Sequence, residues 1–152
     1  MSPNIIGLII GFIFIVPTIY LIRSKQWDNS AWPWFLITLP IYYMLFGLLA
    51  MDTTAIIKEL LYGLPYIATG LLVWRIKSTA GLIIIGLAWL SHGLYDLYHD
   101  VFFVNPGVFS WYPAFCAFVD ISVASYILVF YKSLKSDFGK DASRRSATQK
   151  SR

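Results

Sequence analysis

Residues 81–103 of this chain read GLIIIGLAWLSHGLYDLYHDVFF. The stretch is long enough for a helix that crosses a bilayer, which needs about 20 mainly apolar residues. Its second half, however, holds both histidines of the protein and two of its eight acidic residues. Ionisable side chains are costly at membrane depth, so they usually face the interior of a helix bundle or a water-filled cavity. The stretch therefore predicts a membrane-spanning helix that carries a functional site.

Four more apolar blocks surround this stretch. The chain is 58% hydrophobic and 13% charged, whereas a soluble domain has about 45–50% apolar and about 25% charged residues. The other blocks cover approximately residues 5–22, 32–51, 54–74 and 114–131. The predicted fold class is an all-α integral membrane protein, a bundle of five transmembrane helices.

The third block, residues 54–74, could cross the membrane or stop short of it, because Lys58 and Glu59 lie in its first turns. Cytoplasmic segments are enriched in Lys and Arg. Five crossings place eleven of the twelve basic residues on one side and leave only Lys58 on the other. This distribution predicts an N-terminus outside and a C-terminus in the cytoplasm. It is the pattern of a multi-pass protein, for which a cell membrane or inner membrane is favoured.

The sequence also predicts a boundary at residue 131. Residues 1–131 form the five-helix transmembrane domain, and residues 132–152 form a basic cytoplasmic tail that is predicted to be largely disordered. Seven of the twelve basic residues lie in this tail. The net charge of +4 is therefore a property of the tail and gives no support to nucleic-acid binding. The expected partners are the lipid bilayer and a lipid or another hydrophobic small molecule.

The ionisable residues of the fourth block share one face of its helix. Successive residues turn by about 100°, which places four side chains on one stripe: His92, Asp96, His99 and Asp100. Asp120 lies about two turns inside the fifth block, and Glu59 lies in the first turns of the third. We expect all six at a similar level in the outer half of the bundle. The cytoplasmic half shows no comparable cluster in the sequence.

A metal site is the first interpretation. Imidazoles and carboxylates suit zinc, iron or manganese, so a divalent metal is the candidate cofactor. The predicted metal ligands are His92, His99, Asp96 and Asp100, and the predicted catalytic residues are Asp96, Asp120 and Glu59. A metal-bound water could then attack a lipid or another hydrophobic substrate. Hydrolysis is favoured over oxidation because two histidines are too few for a diiron centre.

Two other interpretations stay open. Chains of Asp, Glu and His act as proton relays in pumps and transporters, although here they occupy only half of the membrane. The cluster could also be a hydrogen-bonded network that fixes helix packing, even though such contacts contribute only about 0.6 kcal/mol each on average. The sequence thus supports either a small membrane enzyme or a non-enzymatic protein: a transporter or proton-linked subunit, a ligand binder or an assembly factor.

Overall fold

The computed structural model describes residues 2–76 and 78–150, with the side chains of residues 2–76, 78 and 80–134. Within these residues the chain forms six helices and no strand. The helices are α1 (Pro3–Ser24), α2 (Asp28–Leu49), α3 (Thr53–Ile76), α4 (Thr79–Leu97), α5 (His99–Phe102) and α6 (Tyr112–Lys150). All except α5 are long and apolar enough to cross a membrane. The protein is a multi-pass helical membrane protein, as predicted.

The third span is complete. α3 has 24 residues and includes both of the charged residues that made its prediction uncertain. Lys58 is exposed, and its ammonium lies 5.2 Å from the centre of the Phe103 ring. Glu59 is buried. Because neighbouring residues on a helix point in different directions, α3 can keep Lys58 on the surface and turn Glu59 into the bundle.

The predicted stripe of ionisable residues requires the fourth block to be one continuous helix. In the structure this block forms two helices, α4 and α5. α4 ends at Leu97, and the N–H of Tyr98 is shared between the carbonyls of Leu94 and Tyr95. Such shared hydrogen bonds are common at helix ends. The single turn of α5 follows, beginning at His99. The side chain of His99 therefore does not point in the direction that a continuous helix would give it.

Glycines set the closest approaches between helices. A Cβ atom on Gly7 of α1 would collide with the backbone of Trp111 beside α6, and one on Gly63 of α3 would collide with the Pro40 ring of α2. Gly93 of α4 lies against α6. Small residues have this role in membranes because lipid supplies no hydrophobic force between helices, and association depends on close packing.

Consecutive spans run in opposite directions. Gly47 near the end of α2 contacts Ile56 near the start of α3, and Gly70 near the end of α3 contacts Ile37 of α2. We call the end of the bundle where α2 and α4 end the upper end, and the other the lower end. That the lower end faces the cytoplasm stays a prediction, as does the boundary at residue 131. α6 is helical to Lys150, and the disorder expected for residues 132–152 stays a prediction, since side chains beyond residue 134 lie outside the described part.

Large apolar side chains cover the outside of the bundle. On α1, for example, Phe12, Ile13 and Tyr20 are more than half exposed. The core between the helices is also apolar and contains Trp32, Trp89 and several aliphatic residues. A helix that is apolar on all sides is typical of a membrane span. The buried polar groups described below are therefore exceptions within a hydrocarbon environment.

Candidate functional site

Three ionisable side chains meet between α4 and α6. His92 Nδ1 lies 2.6 Å from Asp120 Oδ2 and 3.3 Å from Asp96 Oδ2. Each of the three residues is at most 2% exposed. One possible ligand atom from each lies within 4.8 Å of those of the other two. We call His92, Asp96 and Asp120 the inner triad.

The positions of these residues follow from local sequence and helix packing. His92 and Asp96 are four residues apart and therefore lie on the same face of α4. Asp120 comes from α6, which approaches α4 at Gly93. A Cβ atom on Gly93 would lie 3.0 Å from Ile121 Cγ1 and 3.1 Å from Asp120 Cβ. The absence of a side chain at Gly93 thus lets Asp120 reach His92.

Gly93→Val is expected to destabilise the protein and to separate Asp120 from His92. Side chains forced into a packed core cost about 1–3 kcal/mol. The free energy of unfolding in detergent measures this cost. Ser91→Val, on the exposed face of α4, introduces the same side chain and should change stability by less than about 0.5 kcal/mol. Equal stabilities of the two variants would contradict the role given to Gly93.

The inner triad has unused hydrogen-bonding capacity. The Tyr43 hydroxyl donates to Asp96 Oδ1 over 2.8 Å, and the Tyr66 and His92 rings pack in a T-shaped contact with their centroids 4.6 Å apart. Asp96 Oδ2 and Asp120 Oδ1 are buried and accept no hydrogen bond from any described residue. Buried polar atoms in native proteins nearly always have a partner. These two oxygens are therefore suited to a proton, a cation or a ligand that donates a hydrogen bond.

The charge of the inner triad also favours a bound cation. Two carboxylates and one imidazole carry a net negative charge whether His92 is neutral or protonated, unless a carboxylate is itself protonated. Buried charge is expensive unless it is compensated nearby. Among the described side chains, no Lys or Arg contacts the inner triad. A bound divalent cation would balance this charge.

A second cluster lies closer to the upper end and centres on Glu59. Its Oε1 atom lies 2.9 Å from His99 Nε2 and accepts a hydrogen bond of 2.9 Å from Asn105 Nδ2. Its Oε2 atom accepts one of 3.2 Å from the Tyr95 hydroxyl. Asn105 also donates to the backbone carbonyl of Tyr43. We call Glu59, Tyr95, His99 and Asn105 the Glu59 cluster; in it, both carboxylate oxygens have partners.

The structure places five of the six predicted site residues in two separate clusters and the sixth at the surface. The inner triad contains three of them, and the Glu59 cluster contains Glu59 and His99. Asp100 is at the surface, where its side chain is 77% exposed and its Oδ1 atom lies 3.3 Å from His99 Nδ1. The two histidines have different partners because α4 ends between them. Four predicted metal ligands therefore do not surround one point.

Sequence reasoning missed Tyr43 and Asn105. Tyr43 is 1% exposed, donates to Asp96 and stacks on the His99 ring at 4.7 Å between centroids. It thereby contacts both clusters. Its only signal in the sequence is a phenol inside an apolar block instead of at an interface. Asn105 lies in the connection between α5 and α6, where a buried amide has no distinguishing pattern.

The lower end has one buried acid, Asp28, but among the described residues it has no group of histidines and acids comparable to the inner triad. Asp28 Oδ1 accepts hydrogen bonds from Trp32 Nε1 at 3.0 Å and from the Tyr126 hydroxyl at 2.8 Å. Its Oδ2 atom lies 3.6 Å from Arg23. These contacts join the ends of α1 and α2 to α6. Asp28 has no distinguishing signal in the sequence, because it stands alone beside an apolar block.

The stability of the Glu59 cluster should fall as pH rises. Burial lowers the pKa of His99, but the hydrogen bond and charge of Glu59, aided by Asp100, outweigh it and raise the pKa above its ordinary value. The folded protein thus favours protonated His99. The resulting stabilisation is complete below the ordinary pKa of about 6.5 and is lost as pH rises through the higher pKa of the folded state. Unfolding free energies measured across this window should show the loss, and His99→Gln should remove it.

The fold and site together define a class: multi-pass helical membrane proteins with a buried His/Asp group that could bind a metal ion. Compared with protein-family models, curated proteins and solved structures, the chain gives no match.

Proposed function

We propose that this protein is a membrane enzyme that holds a divalent metal ion at the inner triad and acts on a lipophilic molecule. The observation that carries the proposal is the triad itself: three buried ligand groups within 4.8 Å of one another, two of them with a carboxylate oxygen that accepts no hydrogen bond from a described residue. The proposed ligands are His92, Asp96 and Asp120. This set keeps two of the four ligands expected from the sequence and adds Asp120.

The donor set fits such an ion. One imidazole nitrogen and two carboxylate oxygens suit zinc, iron or manganese. The Tyr43 hydroxyl, bound to Asp96, would hold that carboxylate in orientation, as groups behind metal ligands commonly do. Three protein ligands also leave coordination positions for water and substrate, which is typical of catalytic sites. A metal in such a site lowers the pKa of bound water towards neutrality, and hydrolysis is therefore the reaction we propose.

The Glu59 cluster has a different role in this proposal. Both oxygens of Glu59 already accept hydrogen bonds from His99, Asn105 and Tyr95. The cluster joins α3, the end of α4 and the connection to α6. We therefore assign it to structure: it fixes the upper end of the bundle and the position of the Tyr43 ring.

Metal analysis of the purified protein tests the proposal. The protein, extracted in detergent without added chelator, should contain close to one zinc, iron or manganese ion per chain by mass spectrometry. After chelation, titration with each of the three metals should restore one equivalent. Asp120→Asn should lower the affinity, because an amide is a poorer ligand than a carboxylate.

A structural function of the triad is the competing outcome. In that case the two carboxylates would share a proton next to His92, and no metal would bind after reconstitution. The variant Asp120→Asn would then leave metal content unchanged, since there would be none. Metal-free protein that also fails to take up zinc, iron or manganese would refute the proposed function.

A further inference from the structure

A cavity of about 290 Å³ lies beside the inner triad, between α1, α2 and α6. Trp32 and Trp89 are part of its inner wall and are at most 2% exposed. Asp120 belongs to the same wall. Drug-sized ligands occupy pockets of about 300–1,000 Å³, so the cavity suits a single hydrocarbon chain or a small ring system. It is too small for a whole two-chain lipid.

The cavity opens towards the lipid-facing side of the bundle. Phe14 of α1 and Phe35 of α2 line it and are each more than 40% exposed. α1 and α2 contact each other little, because α1 packs mainly on α6 and α2 mainly on α3. Arg23 and Asp28 join the two helices near the lower end. The cavity lies above this contact, in the gap between α1 and α2.

The wall chemistry restricts what can bind. Among the side chains that the structure describes, no Lys, Arg or His lines the cavity, and Asp120 is its single ionisable carboxylate. In the metal-free protein, an anionic headgroup would thus meet a carboxylate and no compensating cationic side chain among those described. The remaining wall is mostly aromatic and aliphatic. Asp120 Oδ1 is covered by neighbouring atoms and accepts no hydrogen bond from a described residue. A neutral ligand whose donor reaches this oxygen through a small shift of the wall is therefore favoured.

We infer that this cavity binds an uncharged, single-chain, lipid-soluble alcohol, whose hydroxyl donates to Asp120 and whose chain lies against the aromatic wall. The inference rests on the proposed function in one respect: the alcohol is taken to be a product of the proposed hydrolysis. In the hydrolysis of a neutral ester, the oxygen of water bonds to the acyl carbon, and the bond from that carbon to the alkoxy oxygen breaks. The alkoxy oxygen takes up a proton from the water and leaves as the alcohol, and the acyl part leaves as a carboxylic acid. The size and chemistry of the cavity then indicate the substrate class: neutral lipid esters that carry a single narrow alkyl chain on the alcohol side.

Tryptophan quenching by brominated probes tests the inference. The probes are 8-bromooctan-1-ol, 1-bromooctane and 8-bromooctanoate, and their concentrations are corrected for partition into the micelle. Bromine quenches at short range, so occupation of the cavity should give a saturable loss of fluorescence from Trp32 and Trp89. The alcohol should bind about tenfold more tightly than the alkane, as expected for a hydrogen bond to a charged group. The carboxylate should show no saturable component in chelated protein, where no metal ion lies beside Asp120.

Threonines at the cavity provide matched variants. Thr18 of α1 and Thr38 of α2 line the cavity, and their hydroxyls bond to carbonyls of their own helices. Thr18→Phe and Thr38→Phe should each abolish saturable quenching by filling the space, whereas Thr18→Val and Thr38→Val should retain it. Two positions on different helices guard against a variant that fails to fold. Quenching by the alcohol that stays linear, or that both Phe variants retain, would overturn the inference.

The same titrations on chelated and metal-loaded protein separate the two proposals. Saturable binding of the alcohol by a protein that takes up no metal would support the cavity assignment and refute the metal enzyme. Stoichiometric metal without saturable binding would refute the inference alone. Binding of 8-bromooctanoate to chelated protein as tight as that of the alcohol would refute the proposed ligand chemistry.

Discussion

His92→Ala is expected to remove the metal from the purified protein, whereas His99→Ala is expected to retain it. His92 supplies the only nitrogen ligand of the inner triad, with Nδ1 at 2.6 Å and 3.3 Å from the two carboxylates. His99 is bound to Glu59 instead. Loss of groups that merely orient a ligand already costs about 10–100-fold in metal affinity, so loss of His92 itself should cost about a hundredfold or more.

Metal content by mass spectrometry, with titration of chelated protein, measures this difference. The two variants are a matched pair because both remove a buried imidazole of at most 2% exposure. Stability is recorded alongside, so that unfolded protein is not mistaken for metal-free protein. If both histidine variants lost the metal equally while folded, the two clusters would not act separately as the structure indicates.

Glu59→Ala is expected to give the largest loss of stability among the site variants. It leaves His99 Nε2, the Asn105 amide and the Tyr95 hydroxyl without their common acceptor. Removing one partner of a buried ion pair costs about 3–5 kcal/mol. Polar contacts between membrane helices average only about 0.6 kcal/mol, but here three donors depend on one carboxylate. We therefore expect a loss of about 3 kcal/mol in the free energy of unfolding by SDS.

Two variants provide the comparison for this prediction. Asp100→Ala removes the other acid next to His99. Because the Asp100 side chain is 77% exposed, this variant should cost less than about 1 kcal/mol in stability. Glu59→Gln keeps an acceptor oxygen and should recover part of the loss. Metal content should be normal in all three, because Glu59 is not a ligand in the proposed site. An Ala variant at Glu59 as stable as Asp100→Ala would show that the Glu59 cluster does not hold the upper end together.

Local features of the sequence were sufficient for the spans and for part of the site. Span number follows from the length of apolar blocks, which the bilayer sets independently of the fold. The proximity of His92 and Asp96 follows from helix periodicity within one segment. Asp120 could be added because a short connection makes α4 and α6 antiparallel neighbours. The metal chemistry of these residues stays a proposal.

Other parts of the site depend on contacts between segments far apart in the chain. Tyr43 reaches Asp96 from α2, and Asn105 reaches Glu59 from a connecting segment. Nothing next to either residue in the sequence indicates such a partner. The cavity arises in the same way, because α1 and α2 pack on different neighbours and leave a gap between them.

The sequence by itself determined that the chain crosses a membrane five times and that an acid and an imidazole share a face of the fourth span, because hydrophobic length and helical period are local properties. Only the tertiary structure decided that the two histidines belong to different clusters. α4 ends at Leu97, and His99 then finds Glu59 of α3 and the stacked ring of Tyr43. Where a helix ends in a bundle depends on the partners available beyond it, and those come from other helices.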